Sequence, residues 1–152
     1  MGERKLKQLQ LLRRSLEFQQ QEGREKLFQI HTQIDKMVAN INLLTNYIQQ
    51  YENHQEKQTH LLSQQFINHQ AFIATLCQNA SREKDALQKK EAMREEVIQT
   101  LLALAKKIET IEDRITCIQQ GQERQKNLTA EQEELDLWQA HQYNQSDIKE
   151  LA

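Results

Sequence analysis

Residues 27–51 read LFQIHTQIDKMVANINLLTNYIQQY, and their apolar side chains recur at alternating steps of three and four residues. The repeating positions are Leu27, Ile30, Ile34, Met37, Ile41, Leu44, Ile48 and Tyr51. Carried backwards, the same register meets Leu6, Leu9 and Leu16, with breaks at Arg13, Gln20 and Gly23. A heptad seam of this kind predicts a long helix whose narrow apolar stripe needs a partner helix.

A second heptad seam follows later in the chain. Its apolar positions are Phe66, Ile73, Leu76, Ala80, Leu87, Val97, Leu101, Leu104, Ile108, Ile111, Ile115 and Ile118. Polar residues take its slots at His69, Glu83, Lys90 and Arg94. Two long seams in one chain can close on each other, so the predicted fold class is all-α, with two long helices forming an antiparallel coiled-coil hairpin. We expect helix 2 to extend beyond helix 1.

The predicted organisation is a single coiled-coil rod over residues 1–152. Helix 1 is expected over about 3–56, the turn over about 57–62 and helix 2 over about 63–143. The reversal contains neither glycine nor proline, and its candidate caps are Asn53, Thr59 and Ser63. The alternative architecture is one uninterrupted helix that dimerises.

The expected hairpin register pairs Tyr51 with Phe66. It also places Gly23 opposite Arg94, where a missing side chain would accommodate a large one. Because a shift by one heptad satisfies both seams equally well, this register is a prediction that needs a structural test.

The seam of helix 2 slips near Gly121, since Leu128, Leu135 and Trp138 fall one residue out of phase with the preceding repeat. The segment from Thr129 to Gln132 has the form of a capping box. We therefore expect a local change of supercoil here, followed by a restart of the helix.

Composition argues against a compact domain with several layers. The chain has no proline and only three glycines, aromatic residues make up 5% of it, and the formal net charge is −2. No phosphate-binding glycine loop, nucleophile elbow or carboxylate pair in a cleft is recognisable, and two helices form no deep pocket. We expect no enzymatic activity and no cofactor.

The metal-binding residue types also lack a recognisable site. The spacing of His54, His60 and His69 matches no zinc motif, so no metal is expected. Cys77 and Cys117 are expected to be reduced thiols, as in a cytoplasmic protein. The most apolar run, 97–105, is shorter than the roughly 20 residues that a bilayer requires, and no signal peptide is recognisable.

Apolar residues that lie off the seams are candidates for docking. Tyr47 and Phe72 lie beside the seams near the turn, and Trp138 lies near the other end. A further stripe on helix 1 contains Leu11, Leu12, Phe18 and Phe28, with Leu102 and Ala105 on helix 2. Isolated exposed apolar residues are ordinary, but clusters at two ends of a rod suggest two docking sites.

The beginning of helix 1 is basic. Arg4, Lys5, Lys7, Arg13 and Arg14 are accompanied only by Glu3 in the first turns. Either these side chains form an ordinary solvated face, or they meet an acidic partner surface. The nearly neutral total charge disfavours a third function, binding of nucleic acid by a basic helix.

The sequence around the predicted turn resembles that of the flagellar FliJ family. The resemblance lies in residues 47–51, Tyr-Ile-Gln-Gln-Tyr, and in residues 67–76, which read Ile-Asn-His-Gln-Ala-Phe-Ile-Ala-Thr-Leu. Phe66 and His69 depart from the expected tryptophan and tyrosine, and the turn lacks the family's usual glycines. A second flagellar system or an injectisome counterpart is therefore an open alternative.

The resemblance implies an antiparallel coiled coil similar to the central stalk of rotary ATPases. FliJ-like proteins dock in the hexameric ATPase ring of flagellar type III export, contact the export-gate membrane protein FlhA and bind export chaperones. Such a protein would be cytoplasmic and peripheral at the inner membrane, with a role in flagellum biogenesis and motility. The other function considered is a generic cytoplasmic coiled-coil tether or scaffold, as a parallel or antiparallel dimer.

The resemblance also implies two sets of binding residues. The gate-binding face would comprise Leu44, Tyr47, Tyr51, Phe72 and Leu76. The residues entering the ATPase ring would be Lys5, Lys7, Leu11, Arg13, Arg14, Phe18, Leu128, Leu135 and Trp138. Leu44, Tyr51 and Leu76 are seam positions, for which a role in the core of the coiled coil is an equal expectation.

Overall fold

The computed structural model describes residues 2–57 and 63–151, and all of these residues are helical. Helix α1 spans Gly2–Lys57 and helix α2 spans Ser63–Leu151. The all-α prediction with a longer second helix is therefore confirmed. Residues 58–62, with most of the predicted turn, the candidate cap Thr59 and His60, lie outside the described residues.

The chain divides into two units, each of which contains parts of both helices. The central unit is Gln19–Leu104, and the terminal unit combines Met1–Phe18 with Ala105–Ala152. In the central unit, Gly23 lies against Leu101 whereas Tyr51 lies against Phe72, so the two helices run antiparallel.

The two predicted seams form the packed faces of the helices. In the central unit, Ile30, Ile34 and Val97 are buried together, and Leu27, Leu87 and Leu101 pack against them. Buried apolar residues in the terminal unit are Leu16, Ile108, Ile111 and Ile115. Complete burial of such a side chain stabilises a fold by about 1.5–3 kcal/mol, so these stripes hold the helices together.

One apolar seam residue does not follow the prediction. Phe66 is 49% exposed, although the sequence placed it in the seam opposite Tyr51. Tyr51 packs instead on Phe72, with ring centroids 5.0 Å apart, and on His69 at 5.9 Å.

The register in the central unit corrects the sequence-based expectation. A Cβ atom built on Gly23 would lie 2.7 Å from Cδ2 of Leu101, so Leu101 is the residue that faces this glycine. Leu101 is seven residues beyond Arg94, and the actual register is displaced from the expected one by one heptad. The space at Gly23 thus admits an apolar side chain, while Arg94 is half-buried at another level of the seam.

Helix α2 continues without interruption through Gly121 and Thr129 to Leu151, beyond the expected end near 143. The Thr129 hydroxyl donates a hydrogen bond to the Gln125 carbonyl at 2.8 Å, within its own helix. The predicted capping box is therefore wrong, because this hydroxyl bonds the preceding turn instead of a free helix start.

The part of α2 from Glu123 to Lys149 is exposed at every position. Among the described residues, neither helix offers a stretch that combines the length and the apolarity needed to cross a membrane.

Candidate functional site

Four ring-bearing side chains meet where α1 approaches its end and α2 begins. This aromatic cluster consists of Tyr47, Tyr51, His69 and Phe72. The ring centroids of Tyr47 and Tyr51 are 5.6 Å apart, and those of Tyr51 and Phe72 are 5.0 Å apart. The planes are tilted by 32° and 52°, in the range of favourable aromatic contacts.

Helical spacing explains how the cluster forms. Tyr47 precedes Tyr51 by one turn of α1, so their side chains lie on the same side of that helix. His69 and Phe72 are three residues apart on α2 and are neighbours for the same reason. Tyr51 is half-buried at the centre, whereas Tyr47 is 52% and Phe72 is 42% exposed. The exposure predicted for these two off-seam aromatic residues is confirmed.

Two open grooves border the ring of Tyr51. One groove is lined by Tyr51, Asn68, His69 and Phe72. The other, of about 440 Å³, is lined by Tyr47, Gln50, Tyr51, His54 and His69. Aromatic faces beside hydroxyl, amide and imidazole groups suit a protein partner, since aromatic anchors with a polar border dominate many protein interfaces.

The five residues assigned to a gate-binding face are not all equivalent. The structure brings Tyr47, Tyr51 and Phe72 into direct ring contact. Leu44 and Leu76 are half-buried seam positions, which agrees with a part in the core of the coiled coil.

Sequence reasoning missed two features of this surface. His69 was assigned to a polar position of the seam, and the structure places its ring centroid 5.9 Å from that of Tyr51. Leu43 is 66% exposed and lies one helical turn before Tyr47, so it extends the apolar surface along α1. The spacing of Leu43 and Tyr47 was the available signal for this extension.

A second candidate surface lies on α1 in the terminal unit. Lys7, Leu11, Arg14 and Phe18 follow one another at helical spacing and are all exposed, Leu11 by 64% and Phe18 by 65%. We call this set the basic stripe. Its alternation of cationic and apolar side chains suits a partner surface that carries both carboxylates and apolar residues.

Two other basic residues assigned to the ATPase ring are placed differently. Arg13 is a half-buried seam residue, and its Nε lies 3.8 Å from Oε1 of Glu17 in an ion pair within α1. Lys5 borders a separate groove of about 490 Å³, which is also lined by Gln8, Leu9, Leu12, Arg114, Cys117 and Ile118. Of the basic residues assigned to the ring, Lys5, Lys7 and Arg14 therefore remain available for an acidic partner.

The remaining assigned residues lie on the exposed part of α2. Leu128, Leu135 and Trp138 are 60%, 50% and 61% exposed and share one side of the helix. We call these three residues the tail stripe. Cys77 and Cys117 are both free and exposed, and the described residues contain no group of three or more metal-ligating side chains.

Comparison with known proteins gives no match to a family model, to a curated protein or to a solved structure. The geometry of the aromatic cluster, the basic stripe and the tail stripe is therefore the basis for a functional hypothesis.

Proposed function

We propose that this protein is a non-enzymatic stalk and escort component of the flagellar type III protein export apparatus. The terminal unit docks in the ring of the export ATPase, and the aromatic cluster contacts the export gate FlhA. The protein also binds export chaperones and acts at the cytoplasmic side of the inner membrane. It requires no cofactor and promotes protein export during flagellum biogenesis.

The observation that carries this proposal is the exposed aromatic cluster. Tyr47 is 52% and Phe72 is 42% exposed, and both rings contact Tyr51, which is less exposed than either. Large aromatic side chains release substantial free energy when a partner covers them, and they lose little conformational freedom on binding. These are also the residues through which the sequence resembles a gate-binding family.

The basic stripe supports docking of the terminal unit. Exposed lysine and arginine side chains accelerate association with an acidic surface, and Leu11 and Phe18 supply apolar contacts between them. An acidic, partly apolar lumen of an ATPase ring is the partner surface that this arrangement suits.

The gate-binding part is tested with Tyr47→Ala combined with Phe72→Ala. We expect gate affinity to fall by about a hundredfold, since removal of an aromatic anchor costs about 2 kcal/mol or more. Both side chains are exposed, so helix content measured by circular dichroism should remain that of the wild type. Isothermal titration with the cytoplasmic part of the gate protein provides the affinity.

The matched control is Phe28→Ala, which removes an aromatic side chain of the same unit that is 73% exposed and lies outside the cluster. Gate affinity should be unchanged in this variant. Equal affinities for the double variant and the wild type would exclude the aromatic cluster as the gate-binding face.

A generic tether or scaffold is the second candidate. The feature that favours it is the exposed length of α2 from 123 to 149, which offers a helix surface to partners of many kinds. If the protein bound neither the export ATPase nor the gate, the tether or scaffold function would be favoured.

A further inference from the structure

The end of α2 carries an apolar stripe that the described part of its own chain leaves uncovered. Residues 123–149 are all exposed, and Leu128, Leu135 and Trp138 recur on one side of the helix. Glu131 lies between the first two members of this tail stripe. The segment contains six acidic and three basic side chains, so its net charge is negative.

The tail stripe cannot reach α1 of its own chain while α2 stays helical. A Cβ atom built on Gly2 would lie 3.1 Å from Nε2 of Gln122, which places the beginning of α1 beside Gln122. Because the helices are antiparallel, the residues of α2 that follow Gln122 run past the beginning of α1. The described residues of α1 therefore leave the tail stripe accessible to another molecule.

The basic stripe on α1 matches the tail stripe in spacing and in charge. Residues 2–18 contain five basic and two acidic side chains, the opposite balance to that of 123–149. Leu11 and Phe18 are separated by seven residues, as are Leu128 and Leu135. Arg14 follows Leu11 by three residues, and Glu131 follows Leu128 by the same interval.

We propose that the tail stripe docks on the basic stripe of a second copy of this chain, and that the two copies form a reciprocal, two-fold symmetric dimer. Leu128 then lies beside the second copy's Leu11, Glu131 beside Arg14, and Leu135 beside Phe18. With the two-fold axis perpendicular to α2, residues 123–149 of each copy run antiparallel to α2 of the other copy. They therefore run parallel to α1 of that copy. At the same offset Lys7 would lie near Arg124, and these two positive charges repel each other. The favourable contacts therefore begin at Leu11.

This dimer would cover the same basic stripe that the proposed function assigns to the ATPase ring. Self-association and ring docking therefore compete, and free copies would be held in a paired state until the ring displaces the tail. The dimer itself is independent of the proposed function, and its test needs only the purified chain.

The test uses the opposite charges of one predicted pair. Arg14→Glu and Glu131→Arg each place like charges at both symmetric contacts, and we expect each to raise the dimer dissociation constant about tenfold. An equimolar mixture of the two variants creates two opposite-charge contacts in the mixed dimer, so dimerisation should return. Sedimentation equilibrium at low salt gives the dissociation constants.

Trp138 provides a second readout, because it is the only tryptophan in the chain. Its fluorescence maximum should shift to shorter wavelength as protein concentration rises, and the shift should weaken in either variant. Arg82→Glu and Glu91→Arg are controls with the same charge changes at exposed positions of the central unit, and they should dimerise like the wild type.

Three results would overturn the proposal. The first is a wild-type chain that remains monomeric over the whole concentration range. The second is loss of association in Glu131→Arg but not in Arg14→Glu, which would indicate that the tails pair with each other. The third is a mixture of the two variants that remains monomeric although each variant has wild-type helix content.

Discussion

At Gly23, the absence of a side chain allows Leu101 of the other helix to pack closely. Its absent Cβ leaves space that Cδ2 of Leu101 occupies, at only 2.7 Å from where that Cβ would lie. The helix tolerates the lower propensity of glycine here, about 1 kcal/mol relative to alanine, because the facing leucine gains a close contact.

Gly23→Leu should therefore destabilise the hairpin. The larger side chain must displace Leu101, and overpacking of this kind costs about 1–3 kcal/mol, part of which the better helix propensity offsets. We expect a lower midpoint of urea unfolding by circular dichroism. Because the two side chains compete for one space, Leu101→Ala should cost less in the Gly23→Leu background than in the wild type.

Gly121→Ala is the matched control for this prediction. Apart from Gly121, its chain neighbours and the adjacent backbone of α2, no atom of the described residues lies within 4 Å of the Cβ position at Gly121, so the substitution should only add helix propensity. Unfolding stability should rise by about 0.5–1 kcal/mol. Additive effects of Gly23→Leu and Leu101→Ala would contradict the contact between these two positions.

Single residues of the candidate site were predictable to different degrees. The exposure of Tyr47 and Phe72 followed from their positions beside the seams. The part played by His69 did not, because its place in a polar slot of the seam says nothing about its neighbour on the other helix. That neighbour depends on the register, which a heptad pattern leaves undetermined.

At the scale of the helices, the sequence predicts which face of each helix is buried but not how far one helix slides along the other. Steps of three and four residues identify the packed stripe, and Ile30, Ile34 and Val97 are buried as expected. A shift of seven residues returns the same pattern, so apolar periodicity alone cannot distinguish Leu101 from Arg94 as the residue opposite Gly23.

The end of α2 shows the limit of local signals. Thr129 and Gln132 have the spacing of a helix start, but the same hydroxyl can bond the carbonyl four residues before it, as it does here with Gln125. The chain contains no proline, the residue type that most strongly interrupts a helix, and α2 continues through Gly121 to this point.

The register is tested by disulfide formation between engineered cysteines. Gly23→Cys with Leu101→Cys, in a chain that also carries Cys77→Ser and Cys117→Ser, should cross-link within one molecule on mild oxidation. The control pair, Gly23→Cys with Arg94→Cys, should remain reduced. Seven residues along a helix amount to about 10 Å, whereas a disulfide requires Cα atoms within about 7 Å.

The cross-linked species is identified by its mobility in non-reducing electrophoresis and by mass spectrometry of the monomer. A disulfide in the control pair but not in the first pair would restore the register expected from sequence. Exclusively intermolecular cross-links would favour an uninterrupted helix that dimerises.

At the scale of the whole molecule, composition and periodicity predict a chain of two long helices. The function depends on the partners that bind the surfaces of these helices. Two surfaces at distinct positions, the aromatic cluster and the basic stripe, are what a component that couples two partners requires. The identity of those partners lies beyond composition and helix periodicity, because exposed aromatic and basic side chains are compatible with many proteins.

The most direct measurement is ATP hydrolysis by the flagellar export ATPase from the same genome, titrated with this purified protein. The proposed function predicts stimulation that saturates well below one copy per ATPase subunit, with stable association of the two proteins. Lys7→Glu combined with Arg14→Glu should weaken that stimulation, because both substitutions reverse charges of the basic stripe. An unchanged rate of hydrolysis together with no association would contradict the stalk proposal and leave a coiled-coil scaffold as the better account.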